Sequence, residues 1–116
     1  MKVETHILTH YTRVAVSGSE LDASHSRVFK EELLRLNQQG VKYLLADLSE
    51  VHLIDDNGLG VLLIGARLCR NAGGRLVTVI TSPTALDRIE EKRLQEVLTL
   101  FTRREEGEGF ISALVL

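Results

Sequence analysis

Cysteine is nearly absent from this chain. Its 116 residues include one, Cys69, so no disulfide can close within it, and a reducing compartment fits. A cationic excess is also missing. Lys and Arg number 14 against 16 Asp and Glu, for a net charge of −2. With no basic stripe, nucleic acid and an anionic membrane surface are excluded as main targets. No apolar run approaches the ~20 residues of a membrane span, so no direct insertion is expected. The first residues, Met1-Lys2-Val3-Glu4-Thr5-His6, lack the apolar core of a secretion signal. A cytoplasmic protein is the expectation.

What is present is an ordinary globular balance, 44% hydrophobic and 26% charged. The length suits one domain over residues 1–116 with a real core. Residues 3–9 alternate as a strand, 10–12 suit a hairpin turn, and 13–17 form a second strand closed by Gly18. Ser19-Glu20-Leu21-Asp22 is a polar lead into a helix over 23–39. There Phe29, Leu33 and Leu36 fall at helical spacing, and Gly40 stops it. Residues 41–46 are a nearly continuous apolar strand, expected to be central and covered on both faces.

A polar stretch, 47–60, follows, and then a helix over 61–70 that ends at Asn71-Ala72-Gly73-Gly74. Residues 75–80 are the fourth strand. Ser82 as cap and Pro83 at the first position open a third helix, with Leu86, Ile89 and Leu94 inward and Asp87, Arg88, Glu90, Glu91, Lys92 and Arg93 mostly solvated. Residues 98–102 form a fifth strand. Residues 103–109 read as charged and loose. The apolar tail 110–116 needs a docking site as a strand or a helical turn, and periodicity does not decide which. The order ββαβαβαβ plus tail implies an α/β fold with a mixed, mostly parallel sheet. No domain boundary, repeat or low-complexity segment interrupts it.

The stretch 47–60 organises the rest. A buried strand ends, a turn carries Asp55, Asp56 and Asn57, and a helix begins. Free N–H groups and the helix dipole at that end favour acceptors, which Asp56 and Asn57 can supply as caps. Gly58 leaves room for a backbone or a partner to come close. Val61, Ile64 and Leu68 form a second apolar face on the helix. It either docks a partner or packs under the third helix or the tail.

Catalysis finds little support. Adjacent Asp55 and Asp56 splay apart in a turn, and no histidine or nucleophile is tied to them by spacing. An EF-hand fails, because taking Gly58 as its glycine puts Leu53 and Ile64 at the first and last ligand positions. A phospho-aspartate at Asp55 would want a second acidic cluster and a distant lysine, and neither is evident. His6, His10, His25 and His52 share no metal-ligand spacing. Cys69 reads as a packed thiol, and Gly58-x-Gly60 is too little for a nucleotide loop. No metal, cofactor or enzymatic activity is expected.

Gly18-Ser19-Glu20-Leu21-Asp22, Leu45-Ala46-Asp47-Leu48-Ser49, Ile54-Asp55-Asp56-Asn57-Gly58-Leu59-Gly60 and Gly73-Gly74, in this order, resemble the STAS domain of bacterial anti-sigma-factor antagonists and of sulfate transporters. The resemblance runs from the first strand to the third helix and implies a single STAS domain. In the antagonists this turn ends in a hydroxyl residue before the glycine. An anti-sigma factor that is also a serine kinase phosphorylates it. The unphosphorylated antagonist binds that kinase and releases the sigma factor. A phosphate at a helix N-terminus adds nearly two charges to the contact surface.

This chain departs from the pattern where the switch would sit. Asn57 occupies the phosphoacceptor position and cannot form a phosphoester, so no phosphorylation is expected there. Asp56, at a position also commonly a hydroxyl, carries roughly half a phosphate's charge permanently. Ser19 stretches the family's Gly-Glu-Leu-Asp segment.

The resemblance implies a non-enzymatic interaction module that binds an anti-sigma factor of the serine-kinase type. Its contact residues are expected to be Asp22, Asp55, Asp56, Asn57, Gly58, Leu59, Val61 and Ile64, with Asp22 equally readable as a helix cap. An alternative function is the STAS subunit of a lipid-transport ABC system or of a stress-signalling assembly. A homodimer is compatible with either.

Overall fold

The computed structural model describes residues 2–115. Five strands form the main sheet in the order β1-β2-β4-β6-β7. They are β1 (Lys2–Ile7), β2 (Thr12–Ser17), β4 (Tyr43–Asp47), β6 (Arg75–Val79) and β7 (Thr99–Phe101). β1 and β2 are an antiparallel hairpin, and the other neighbours are parallel. Two short strands, β3 (Glu20–Leu21) and β5 (Leu53–Ile54), pair in parallel outside it. The helices are α1 (Ala23–Gln38), α2 (Asp56–Asn71), α3 (Pro83–Glu91) and α4 (Arg104–Val115). Among the described residues no helix is long and apolar enough to cross a membrane.

Alternation along each strand sends side chains to opposite faces. Val14 and Val16 of β2, Leu44 and Ala46 of β4, and Leu76 of β6 join Phe29, Leu33 and Leu36 of α1, Leu59 and Leu62 of α2, and Ile89 of α3 in the larger core. Leu45, Val77 and Val79 face the other way and meet Ile111 of α4, with Tyr11, Tyr43, Phe101 and Phe110 around them. β4 is therefore buried on both faces, as its continuous apolar run predicts.

Four elements differ from the sequence reading. Residues 103–109 are not loose. They begin α4, which continues through the apolar tail to Val115 and packs against β4, β6 and β7. Gly107 is what the periodicity conceals: a Cβ there would sit 2.8 Å from Val79 Cγ2, so the glycine lets the helix lie close on the sheet. α2 starts at Asp56, five residues before 61, because Asp55 caps it. Glu20–Leu21 is a strand rather than a plain polar lead. Ser82 occupies the N-cap position of α3, but its buried hydroxyl makes no cap hydrogen bond.

α4 is pinned to the sheet by a polar cluster. The Tyr11 hydroxyl donates to Glu108 Oε1 at 2.7 Å, Arg13 reaches the same oxygen at 3.0 Å, and Arg104 Nε reaches Oε2 at 3.2 Å. Burial, then the bond to Glu108, pushes the Tyr11 phenol up to about 12. Burial alone would raise the Glu108 carboxyl. The Tyr11 hydroxyl and the Arg104 and Arg13 guanidiniums outweigh it, so the carboxyl titrates below its usual range.

Three predictions follow from this packing. A depressed folded pKa stabilises at neutral pH, and the benefit disappears as pH falls through that pKa. Glu108→Gln is therefore expected to cost about 1–2 kcal/mol at neutral pH in urea denaturation. Its gap to the parent chain should narrow below the usual carboxylate range. Gly74 has no room for a side chain, since a Cβ would fall 2.0 Å from the Lys42 carbonyl oxygen, which itself accepts from the Arg75 N–H. Gly74→Ala is expected to cost roughly 3 kcal/mol or more. At Gly60, where a Cβ meets nothing within 4 Å, alanine should change stability by less than about 1 kcal/mol.

Candidate functional site

The site begins with the β3–β5 pair. Glu20 lies opposite Leu53 and Leu21 opposite Ile54. The next residue on each strand is an aspartate, and each aspartate caps the helix that follows. Asp22 Oδ1 accepts the His25 N–H at 3.1 Å, and Asp55 Oδ1 accepts the Gly58 N–H at 3.0 Å. The Asp55 N–H in turn donates to the Leu21 carbonyl at 3.3 Å. The pairing thus sets the N-termini of α1 and α2 side by side, with both dipoles opening on one surface. The backbone bond from His25 holds the Asp22 carboxyl below its usual range. His25 Nδ1 lies 2.9 Å from the same oxygen without hydrogen-bond geometry.

The turn before β5 is built by Asp47 and Ser49. The nearly buried Asp47 carboxylate accepts the Ser49 N–H at 3.1 Å and the Ser49 hydroxyl at 2.7 Å. Leu48 is buried and its N–H donates to the Val79 carbonyl. The His52 and Leu53 N–H groups then reach the Ser19 carbonyl, and this delivers β5 alongside β3. The Asp47-Leu48-Ser49 segment is thus the brace of the site rather than its surface.

Asp56 and Asn57 stand on that surface. The Asn57 amide donates to Asp55 Oδ2 at 3.4 Å. The Asp56 side chain is 72% exposed, and its carboxylate meets Arg88 of α3 at 2.5 Å, with Lys92 at 4.0 Å. Between α1 and α2 lies an open cleft of about 390 Å³. Arg27 and Lys30 line it from α1, and Asp56, Asn57 and Ile64 from α2. Ser26 also borders the cleft, and its buried hydroxyl has no hydrogen-bond partner. A smaller depression of about 220 Å³ holds Asp22 and Asp55 together with Leu21 and the half-exposed Leu53.

The sequence-predicted residues therefore divide into two groups. Asp22, Asp55, Asp56 and Asn57 are brought together at the N-terminal end of the α1–α2 layer, and Ile64 lines the cleft two turns further along α2. Gly58, Leu59 and Val61 are buried there. A Cβ at Gly58 would meet Ile54 Cγ2 at 2.8 Å and Leu21 at 3.0 Å, so the space it leaves is filled by the chain's own β3–β5 pair. Leu59 and Val61 are core side chains, and Val61 reaches the cleft only as part of its wall. Neither third helix nor tail covers that apolar face, because α1 lies beside it and α4 packs on the opposite face of the sheet.

Sequence reasoning missed Arg27, Lys30 and Ser26, and read Arg88 as solvated. Each is near the site only through the placement of whole helices, which residue spacing does not carry. The placement of Ser26 on the apolar side of α1, in line with Phe29 and Leu33, was the one available signal.

Cys69 is buried, and burial pushes its thiol up to about 12, the behaviour of a packed residue rather than a reactive one. Among the described residues no group of three His, Cys, Asp or Glu side chains is placed to hold a metal ion.

The fold is shared with solved structures of low sequence identity. One is an anti-sigma factor antagonist from Mycobacterium paratuberculosis, 18% identical, with a TM-score of 0.85 over 96% of this chain and 93% of that one. Another is the anti-sigma factor antagonist SpoIIAA in its unphosphorylated form, 19% identical, with a TM-score of 0.75 over 99% and 100%. A third is a variant of RsbS from Moorella thermoacetica, 23% identical, with a TM-score of 0.80 over 98% and 97%. No curated protein sequence matches the chain. The STAS domain matches residues 3–107, and the chain belongs to the STAS domain family.

Proposed function

We propose that this chain is a non-enzymatic regulatory module that binds an anti-sigma factor of the serine-kinase type. Contact is made by the paired N-termini of α1 and α2 and the cleft between them. The observation that carries this reading is Asn57, exposed at the start of α2 beside the Asp55 cap. It stands at the surface where a family hydroxyl would take a phosphate, and its amide offers no oxygen nucleophile. The interaction is therefore not switched off by phosphorylation at this position. It is either constitutive or set by partner abundance.

Binding rather than catalysis is supported by how the carboxylates are occupied. Asp22 and Asp55 are committed to helix caps, and Asp56 is engaged by Arg88. The surface they leave is mixed in sign, with Arg27 and Lys30 across the cleft from Asp56. Such a pattern suits a protein surface with complementary charges and sets orientation more than raw affinity.

A pull-down from the host with the chain as bait, with and without ATP and read by mass spectrometry, tests this. Capture of a kinase-type anti-sigma factor that ATP does not release is expected. Capture of a permease–ATPase pair would replace the reading with the transport one.

With the captured kinase, Asn57→Ser is expected to become phosphorylated and to lose at least tenfold in affinity on adding ATP, about 1.4 kcal/mol. The parent chain should be unchanged, and phosphate appearing on it at another residue of this region, such as Ser49, would overturn the proposal. Asp56→Asn is expected to weaken partner binding by about fivefold to tenfold in calorimetric titration. Its exposed ion pair should cost less than about 1 kcal/mol of stability.

A further inference from the structure

We propose that β1 is the interface of a symmetric dimer of this chain, in which two copies pair their first strands antiparallel with Thr5 on the two-fold axis. β1 is an edge of the main sheet and spans Lys2–Ile7, whereas the opposite edge, β7, is only three residues long. The hairpin register runs from Lys2 opposite Ser17 to Ile7 opposite Thr12, and the Leu8 N–H donates to the Tyr11 carbonyl at 2.9 Å. In an antiparallel ladder, bonded and non-bonded pairs alternate. Leu8, His6, Glu4 and Lys2 therefore bond to β2. The N–H and C=O groups of Val3, Thr5 and Ile7 point away from the sheet, free to pair with another strand.

The side chains of the same three residues face the α1 side of the sheet. Val3 packs on the core, and Thr5 donates its hydroxyl to Glu32. Ile7, past the end of that cover, is 80% exposed. Beside it runs an open groove of about 450 Å³ between β1 and α1, lined by Val3, Thr5, Val28, Glu31, Glu32 and Arg35. Val28 is itself 46% exposed. One surface thus offers both a projecting aliphatic side chain and a groove with an aliphatic wall, the arrangement an isologous interface needs.

Side-chain pairing selects the register. With the outward groups of Val3, Thr5 and Ile7 bonded to one another, only registers that pair odd residues with odd residues are available. Placing Val3 opposite Thr5 sets Glu4 against Glu4 of the second copy, a like-charge pair at close range. Placing Thr5 opposite Ile7 sets His6 against His6. Placing Thr5 opposite Thr5 sets Val3 against Ile7 twice and Glu4 against His6 twice. These last are non-bonded positions, where Cα atoms approach to about 4.5 Å. Glu4 and His6 already lie 3.7 Å apart within one chain, on the face that α4 leaves open. In this register each Ile7 enters the groove of the other copy, about six backbone bonds form, and the two five-stranded sheets become one. The interface lies on the flank of α1 away from the cleft holding Arg27 and Lys30. Partner binding at α2 and dimerisation through β1 are therefore separable.

Sedimentation equilibrium of the purified chain from about 1 to 300 μM, a range that spans weak self-association, tests the proposal. The expected result is a monomer–dimer equilibrium. Ile7→Asp, at an exposed position where folding is not at risk, is expected to weaken it at least tenfold with an unchanged circular dichroism spectrum. Glu4→Lys alone is expected to weaken it as well, since the carboxylate that faces the His6 imidazole is lost, and Glu4→Lys combined with His6→Glu to restore it to within about threefold, since the introduced charges are opposite and face each other. A chain that stays monomeric throughout overturns the proposal. So does a dimer indifferent to Ile7→Asp, and so does a dimer that the double variant fails to restore. Ile7→Asp should leave capture of the protein partner unchanged, so loss of the dimer and failure of the partner reading give different results.

Discussion

The candidate site depends on two residues pairing with two others. Glu20–Leu21 and Leu53–Ile54 contribute little area as strands, but their parallel register fixes where two helices begin. Because each strand is followed at once by an aspartate, the pairing also aligns two caps, and with them two helix dipoles. Gly58 is the residue this arrangement can least do without. Its missing side chain is the space that Leu21 and Ile54 occupy. A candidate surface made of helix ends is held in place by backbone bonds and close packing behind it.

The polar groups of the molecule accordingly do different work. Asp47, Asp22 and Asp55 satisfy backbone donors, and a carboxylate in that role is structural wherever it lies. Asp56 is the exception. It is exposed and held from α3 by Arg88, and so presents a charge of fixed position to whatever approaches. Asn57 beside it is neutral. The start of α2 therefore carries the Asp55 and Asp56 carboxylates and a neutral amide at position 57.

The two faces of the sheet are also used unequally. The face toward α1, α2 and α3 holds the larger core and the candidate site. The other is covered by α4 over β4, β6 and β7 through Ile111 and the Glu108 cluster, and the β1–β2 hairpin extends past that cover. A long edge strand left at the border of a covered sheet is a surface with unused hydrogen-bonding capacity. Its neighbours Ile7 and Val28 make that border apolar on one side.

Much of this was legible in residue order. The alternating strands, the both-face burial of β4 and the helix at Pro83 are local matters of periodicity, and they stand where the spacing puts them, whereas the cap of α2 is Asp55 and not Asp56 or Asn57, which are already helical. The STAS resemblance rested on motifs that turn out to be structural, the Asp47–Ser49 brace and the Asp55–Gly58 cap. The errors have a common source. Residues 103–109 look unstructured because their charges dominate, yet Tyr11, Arg13 and the sheet supply the partners that make them a helix. Gly58 and Leu59 read as surface because a turn was extended over them, while Asp55 had already begun the helix, and Val61 because the apolar stripe it shares with Ile64 and Leu68 could equally dock a partner. Sequence by itself determined the five strands of the main sheet, the first three helices, their order and the absence of a hydroxyl at position 57. Only tertiary structure decided that Arg88 meets Asp56, that Arg27 and Lys30 face the same cleft, and that Ile7 is left beside an open groove. Those relations join residues far apart in the chain, and their distances are set by how helices and strands pack rather than by spacing along the backbone.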